Sequence, residues 1–180
     1  MRRSLLLVTL LPLLAACGLL QGPREMTVAE RLAMVPAGPA PVSEPVTIRW
    51  SPRQVPFVEA ATEGDAAFAL GVVQAHLRLG QMTLARHVVE GRIAELGGPF
   101  FTDLDRSLRI LGLDRGTERT ARALPPRSRR WLERFVAGLN FQQRTVRPLP
   151  HEVALMGLDS PEPWTVQDVL AIGRLAGADV

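Results

Sequence analysis

The chain has 180 residues, enough for one modest domain with its own core, and 47% hydrophobic against 22% charged residues is the balance of an ordinary folded protein. All 21 basic residues are arginine; setting aside Arg2 and Arg3, which read as part of a leader, leaves 19 against 18 acidic residues, so the calculated excess of basic charge nearly vanishes. Tyrosine is absent and no arginine cluster alternates with aromatics, so nucleic-acid binding has little support.

Residues 1–16 have the parts of a secretory signal. Met1-Arg2-Arg3 is a positive start, and Leu5 to Leu14 is an apolar run broken by Thr9 and Pro12. That run is too short for a mature transmembrane helix but the right size for a signal-peptide core. Leu14-Ala15-Ala16-Cys17 resembles the bacterial lipobox, whose cysteine receives a diacylglycerol before cleavage on its N-terminal side. The resemblance implies lipid attachment at Cys17 and an exported protein anchored to the membrane of the bacterial cell envelope, facing the periplasm. Each buried acyl CH₂ adds ~0.8 kcal/mol to such anchoring. The alternative is an ordinary signal peptide with a chance cysteine. Cys17 is the only cysteine, so no internal disulfide can form, and its acylation would leave no thiol for catalysis.

Residues 17–45 read as a Pro/Ala-rich spacer: prolines 23, 36, 39, 41 and 45 remove donors and fix the backbone. Thr27 and Glu30 have capping-box spacing, which fits a short helix; a disordered tether fits the length equally.

Residues 46–180 carry the folded pattern. Val46-Thr47-Ile48-Arg49-Trp50 alternates as a strand does, Ser51 to Gln54 is a turn, and Val55 to Glu59 is a second extended piece with Pro56 at a strand end or edge. The two predict a hairpin joined to a larger sheet. From Thr62, a capping residue, the period becomes helical, with Phe68, Val72, Val73 and Leu77 on one stripe. Gly71 and Gly80 argue against a single unbroken rod, at about 1 kcal/mol each relative to alanine. A short turn of helix follows from Gly91 to Gly98, then one or two short helices between Thr102 and Leu124. Pro125-Pro126 begins a longer helix towards Gln143, with Trp131, Leu132, Phe135, Val136 and Leu139 expected inside, and Pro148-Leu149-Pro150 breaks it. Thr165 caps a last helix, with Asp168 at capping-box spacing and Val169, Ile172 and Leu175 on one face. That face has no visible partner and the helix no visible end, which reads as a fragment whose apolar face is uncovered.

The chemical inventory is thin. His76 and His87 sit eleven residues apart, about three helical turns, which is no metal spacing, and both read as helix-flank groups. There is no Gly-x-Ser-x-Gly and no phosphate loop. Asp103 with Asp105, and Glu59 with Glu63 or Asp65, are spaced as carboxylate pairs but are more simply helix-end charges. No residue in the chain is assigned a catalytic or metal-binding role.

The order of segments nonetheless resembles the penicillin acylase family. The opening strands are followed by Asp65 to Ala75, then by Arg78-Leu79-Gly80-Gln81-Met82, similar to the family's Arg-Leu-x-Gln-Met. Gly91 to Gly97, with Gly98 next, matches its Gly-x-x-Ala-Glu-x-x-Gly. Phe135 to Asn140 resembles its Tyr-Ala-x-Gly-hydrophobic-Asn, and Pro161 to Asp168 matches its Pro-x-x-Trp-x-x-x-Asp. Phe57, His76-Leu77 and Gly80 depart from the common pattern, which bears on subfamily.

The resemblance implies an α+β fold: the helix-rich N-terminal part of a four-layer αββα N-terminal nucleophile hydrolase, with a short β-hairpin followed by several helices. It implies an amidohydrolase acting on an N-acyl compound, such as a β-lactam side-chain amide or an acyl-homoserine lactone. It implies a precursor that cuts itself into an α chain and a β chain, the partner that carries the serine nucleophile. It also implies a calcium ion bridging the two chains of the complete enzyme, with most ligands outside this sequence. By counting on from Trp164, Gly177 and Val180 would open the α-chain wall of the acyl pocket. The alternatives are a non-enzymatic envelope lipoprotein and an inactive truncated remnant.

Overall fold

The computed structural model describes residues 25–36, 38–158 and 160–177. The expected signal segment, Cys17 and Val180 lie outside them. The chain divides into a segment ending at Arg31 and a unit formed by Leu32–Val180. Helix α1, Val28–Ala33, is the short helix that the Thr27–Glu30 spacing allows. The Thr27 N–H donates to Glu30 Oε2 at 2.8 Å, and the Glu30 N–H to Thr27 Oγ1 at 3.2 Å, the reciprocal capping box.

Strands β1, Thr47–Trp50, and β2, Pro56–Glu59, pair antiparallel with Ile48 opposite Val58 and Arg49 opposite Phe57. Among the described residues the sheet has these two strands. Ser51 closes the turn, its Oγ accepting from the N–H groups of Arg53 and Val55 at 3.2 and 3.1 Å. Gln54 takes the left-handed conformation, φ 59°. Pro56 opens its strand, where a missing donor costs least.

Helix α2, Glu63–Glu90, runs unbroken for 28 residues. Thr62 caps it by accepting from the Asp65 N–H at 3.0 Å, and Gly91, at φ 63°, ends it in the left-handed conformation. Gly71 and Gly80, which weaken the sequence pattern for one unbroken rod, do not interrupt it, and the reason is packing. Helix α6, Pro126–Thr145, crosses α2 in backbone contact. A Cβ at Gly71 would stand 2.0 Å from the Phe135 carbonyl oxygen, and one at Gly138 would stand 2.0 Å from that of Phe68. The two glycines form a crossing that no side chain fits, and the close packing offsets their conformational cost. Gly80 serves a similar approach: a Cβ there would meet Glu152 Cβ at 2.7 Å. Glu152 belongs to α7, His151–Leu155, a short helix not anticipated beyond the Pro148–Pro150 break.

Between these run α3, Ala94–Gly97, a 3₁₀ turn at Pro99–Phe101, α4, Thr102–Leu111, and α5, Thr117–Ala123; helix α8, Val166–Gly177, closes the described chain. The core gathers Ala75 and Leu79 from α2, Val136 and Leu139 from α6, Val153 from α7, and Trp164. Val169 and Ile172, partly buried, pack against it, so part of the face of the last helix that the sequence leaves open meets the chain's own core. The uncovered side lies elsewhere: Leu77, read as a core position, is 38% exposed. Trp131, Leu132 and Phe135 are half-buried rather than internal. The helix-rich chain with one hairpin is the fold class the sequence predicts.

Candidate functional site

The segment from Pro161 to Gly177 joins the sequence motif around Trp164 to the helix that bears a predicted pocket position. Its start is fixed by side chains from two other helices. Asn140 on α6 donates from Nδ2 to the Trp164 carbonyl at 2.9 Å and accepts from the Trp164 N–H at 2.7 Å. Gln143, one turn on, accepts from the Trp164 indole N–H at 2.8 Å and donates to the carbonyls of Pro161 and Glu162 at 2.8 and 3.2 Å. From α2, Arg86 donates to the carbonyls of Glu162 and Pro163 at 3.1 and 3.3 Å. Its guanidinium lies 4.4 Å from the Trp164 ring centroid, a stacked cation–π contact, and 3.8 Å from the Asp168 carboxylate. Arg86 and Trp164 are each only 2% exposed, and a buried guanidinium is tolerated because carbonyls, ring and carboxylate surround it.

Helix α8 then starts at a capping box: the Thr165 N–H donates to Asp168 Oδ2 at 2.8 Å and the Asp168 N–H to Thr165 Oγ1 at 3.2 Å. Arg174 pins its far half, donating to the carbonyls of Leu113 and Arg115 at 3.1 and 2.5 Å and to Thr120 Oγ1 at 2.9 Å. Gly177, the last residue of α8, is exposed, and a Cβ there would meet nothing within 4 Å. The predicted pocket position is thus an open one at the end of a helix held at both ends. Its predicted neighbour Val180 lies outside the described residues.

Other charged groups near this framework have structural partners. Arg92 contacts Glu90, Glu95 and Glu162 at 2.8, 2.8 and 3.2 Å. Its hydrogen bonds hold the carboxyls of Glu95 and Glu162 below the usual carboxylate range. Asp65, 1% exposed, accepts from the N–H groups of Ser43 and Glu44 at 2.9 and 3.2 Å, from the Thr62 hydroxyl at 2.8 Å and from Arg134 at 3.1 Å. The Ser43 N–H, then the Thr62 hydroxyl, lower its pKa. Asp105 does not pair with Asp103; it is buried and caps the start of α3, accepting from the N–H groups of Ile93 and Ala94 at 2.7 and 2.9 Å. His87 is buried rather than on a helix flank, its Nδ1 2.8 Å from the Thr83 carbonyl. His76 stands edge-on to Trp50.

The hydroxyl of Ser51 serves its turn and that of Ser107 donates to the Asp103 carbonyl at 3.0 Å. A shallow cleft of about 370 Å³ between α3 and α4 is lined by Thr102, Asp105, Arg106, Arg109, Ile110 and Arg115, with Asp105 already occupied by the α3 amides. Among the described residues no three His, Cys, Asp or Glu side chains are grouped as they would be around a metal ion. None of the described helices is long and apolar enough to cross a membrane.

The sequence motifs pointed to Asn140, Trp164 and Asp168 but not to Arg86, Gln143 or Arg174. A charged residue flanked by apolar ones near the end of a helix, as Arg86 is, was the available signal.

The family described as penicillin amidase matches residues 45–180. The penicillin acylase 2 proenzyme of Pseudomonas sp. (strain SE83) is 36% identical over 136 residues, covering 76% of this chain and 17% of that protein. The acyl-homoserine lactone acylase QuiP of Pseudomonas aeruginosa is 36% identical over 128 residues, covering 71% of this chain and 15% of the relative. The chain therefore spans about a sixth of the length of these curated relatives. Among solved structures, a thermostable penicillin G acylase from Alcaligenes faecalis superposes with a TM-score of 0.67 at 27% identity, covering 75% of this chain and 73% of the other.

Proposed function

The chain belongs to the penicillin amidase family, and from that premise we propose that it is the helical first portion of an exported amidohydrolase precursor. The observation that carries this reading is the asymmetry of the match: three quarters of this chain aligns, yet it occupies 17% of the penicillin acylase 2 proenzyme. The described polar groups spend their bonds on the backbone of the Pro161–Asp168 segment and on helix ends, which suits a scaffold for chemistry supplied by other residues.

In this reading a serine encoded beyond Val180 attacks the linear amide of an N-acyl compound, with its own α-amine as base and β-chain donors holding the oxyanion. The N-acyl group is that of a β-lactam side chain, an acyl-homoserine lactone or a similar compound, a reading supported by relatives named penicillin acylase and acyl-homoserine lactone acylase. Gly177 and Val180 contribute to the wall that receives the acyl chain, and a calcium ion would draw most of its ligands from the residues that follow. Cys17 carries the lipid that holds the protein on the envelope membrane.

The test is translation of the coding DNA past Val180 in the three forward frames. A continuation of several hundred residues, with a serine after a small residue opening a strand-rich segment, supports the precursor. A stop at that point in every frame overturns it and leaves a lipid-anchored binding protein or a decayed remnant.

A further inference from the structure

The cleft between α3 and α4 holds more positive charge than its surroundings use. Arg106, Arg109 and Arg115 all line it, with Thr102 and Ile110. Asp105 is the one carboxylate in its wall, and it is spent: it is buried, and its two oxygens accept from the N–H groups of Ile93 and Ala94. Arg106 has an exposed partner, Asp103 at 3.9 Å, and such pairs contribute little in water. Arg109 and Arg115 bond to backbone carbonyls instead, Arg109 Nε to that of Gly91 at 3.0 Å and Arg115 to that of Arg109. A guanidinium carries five N–H donors, so most donors of both remain unused. The two side chains are also held in place. A Cβ on Gly91 would stand 2.7 Å from Arg109 Cγ, and one on Gly112 would stand 2.7 Å from Arg115 Nε, so each arginine lies against a glycine. Both glycines are left-handed, at φ 63° and 62°. Arg174 fixes the backbone beside them by donating to the Arg115 carbonyl at 2.5 Å.

We propose that this cleft is an anion site for a phosphate group, free or carried by the headgroup of an anionic lipid. Guanidinium groups gathered without a counter-charge repel one another, and an anion between them removes that cost. The planar fork of arginine matches the oxygens of a phosphate, two bonds at a time. The Thr102 hydroxyl already donates to the Pro99 carbonyl at 2.7 Å, so binding falls to the three guanidinium groups. Ile110, in the wall and 72% exposed, gives the cleft an apolar edge that suits the lipid-borne form. The site is separate from the amide chemistry proposed above and does not depend on the precursor reading.

Arginine labelling by phenylglyoxal, followed residue by residue in the full chain by mass spectrometry, tests the site. Rates are measured with inorganic phosphate, with phosphatidylglycerol vesicles and with phosphatidylcholine vesicles, each against chloride at equal ionic strength. The expected result is labelling at Arg109 and Arg115 at least fivefold slower with phosphate or phosphatidylglycerol, with the exposed Arg53 and Arg130 unchanged. Protection by inorganic phosphate and none by the vesicles assigns the free form. Protection by phosphatidylglycerol at least as strong as that by phosphate, and absent with phosphatidylcholine, assigns the lipid-borne form. Arg106→Gln, which removes only the exposed pair with Asp103, should weaken the protection at least threefold. The site is overturned by rates unchanged in every arm, by equal slowing at Arg53 and Arg130, or by undiminished protection in Arg106→Gln.

Discussion

Asn140 and Trp164 are tied by two hydrogen bonds: the Asn140 amide spans the Trp164 backbone, accepting from its N–H at 2.7 Å and donating to its carbonyl at 2.9 Å. The pair joins α6 to the segment that launches α8. Asn140→Ala would leave both backbone groups without their partner, at about 1–3 kcal/mol for an unsatisfied polar group in a part-buried setting. Asn140→Asp keeps the acceptor but loses the donor to the carbonyl. Chemical denaturation should rank the three proteins wild type, Asp, Ala in falling stability.

The α2–α6 crossing gives a sharper expectation. A methyl group at Gly71 or Gly138 would stand 2.0 Å from a carbonyl oxygen of the opposite helix, so the helices must part. Each alanine substitution should cost about 3 kcal/mol or more, at or above the usual range for overpacking. Once one substitution has separated the helices, the second meets less resistance. The double variant should therefore be less destabilised than the sum of the two, a coupling readable in a double-mutant cycle.

Asp65 makes the stability acid-sensitive. Its carboxylate is favoured in the folded state by the Ser43 N–H first and the Thr62 hydroxyl next, which puts the folded pKa below the unfolded value. The stabilisation is therefore fully present above the unfolded pKa of about 3.9 and is lost as pH falls through the folded value. Asp65→Asn should lower stability at neutral pH and flatten the loss below about pH 4. Urea titrations at pH 7, 5, 4 and 3 measure both effects; an unchanged acid slope would count against this role.

Thr165→Ala removes the hydroxyl that accepts from the Asp168 N–H, at about 1 kcal/mol. Because Arg174 anchors the other half of α8, the loss should appear as fraying of the first turn, with faster amide exchange at Val166 to Asp168 and little change near Arg174.

The sequence made the elements legible where local chemistry decides them. The Thr62 and Thr165 caps, the Ser51 turn and the prolines at 125 and 126 all mark boundaries that the fold keeps. It was silent where distant chain segments decide. Gly71 reads as a weak point along the chain and becomes a contact surface only opposite Gly138. Asp105 reads as first-turn charge on its own helix and is spent on the start of α3. The Val169–Ile172 face reads as open because Val153 and Trp164, which close the core beneath it, arrive through a short helix and a loop without periodicity. For the site, the motif around Trp164 was visible, while Arg86 and Gln143, which hold it, were not, since their role depends on two helices crossing.

The measurement closest to the central claim is hydrolysis of a chromogenic N-acyl amide by two proteins: the 180-residue chain, and the product of the extended reading frame. The account predicts turnover by the extended product and none by the chain alone, with the extended product split at a serine that becomes a new N-terminus. Turnover by the chain alone, or an extended product that is intact and inert towards both β-lactam and acyl-homoserine lactone amides, would contradict it.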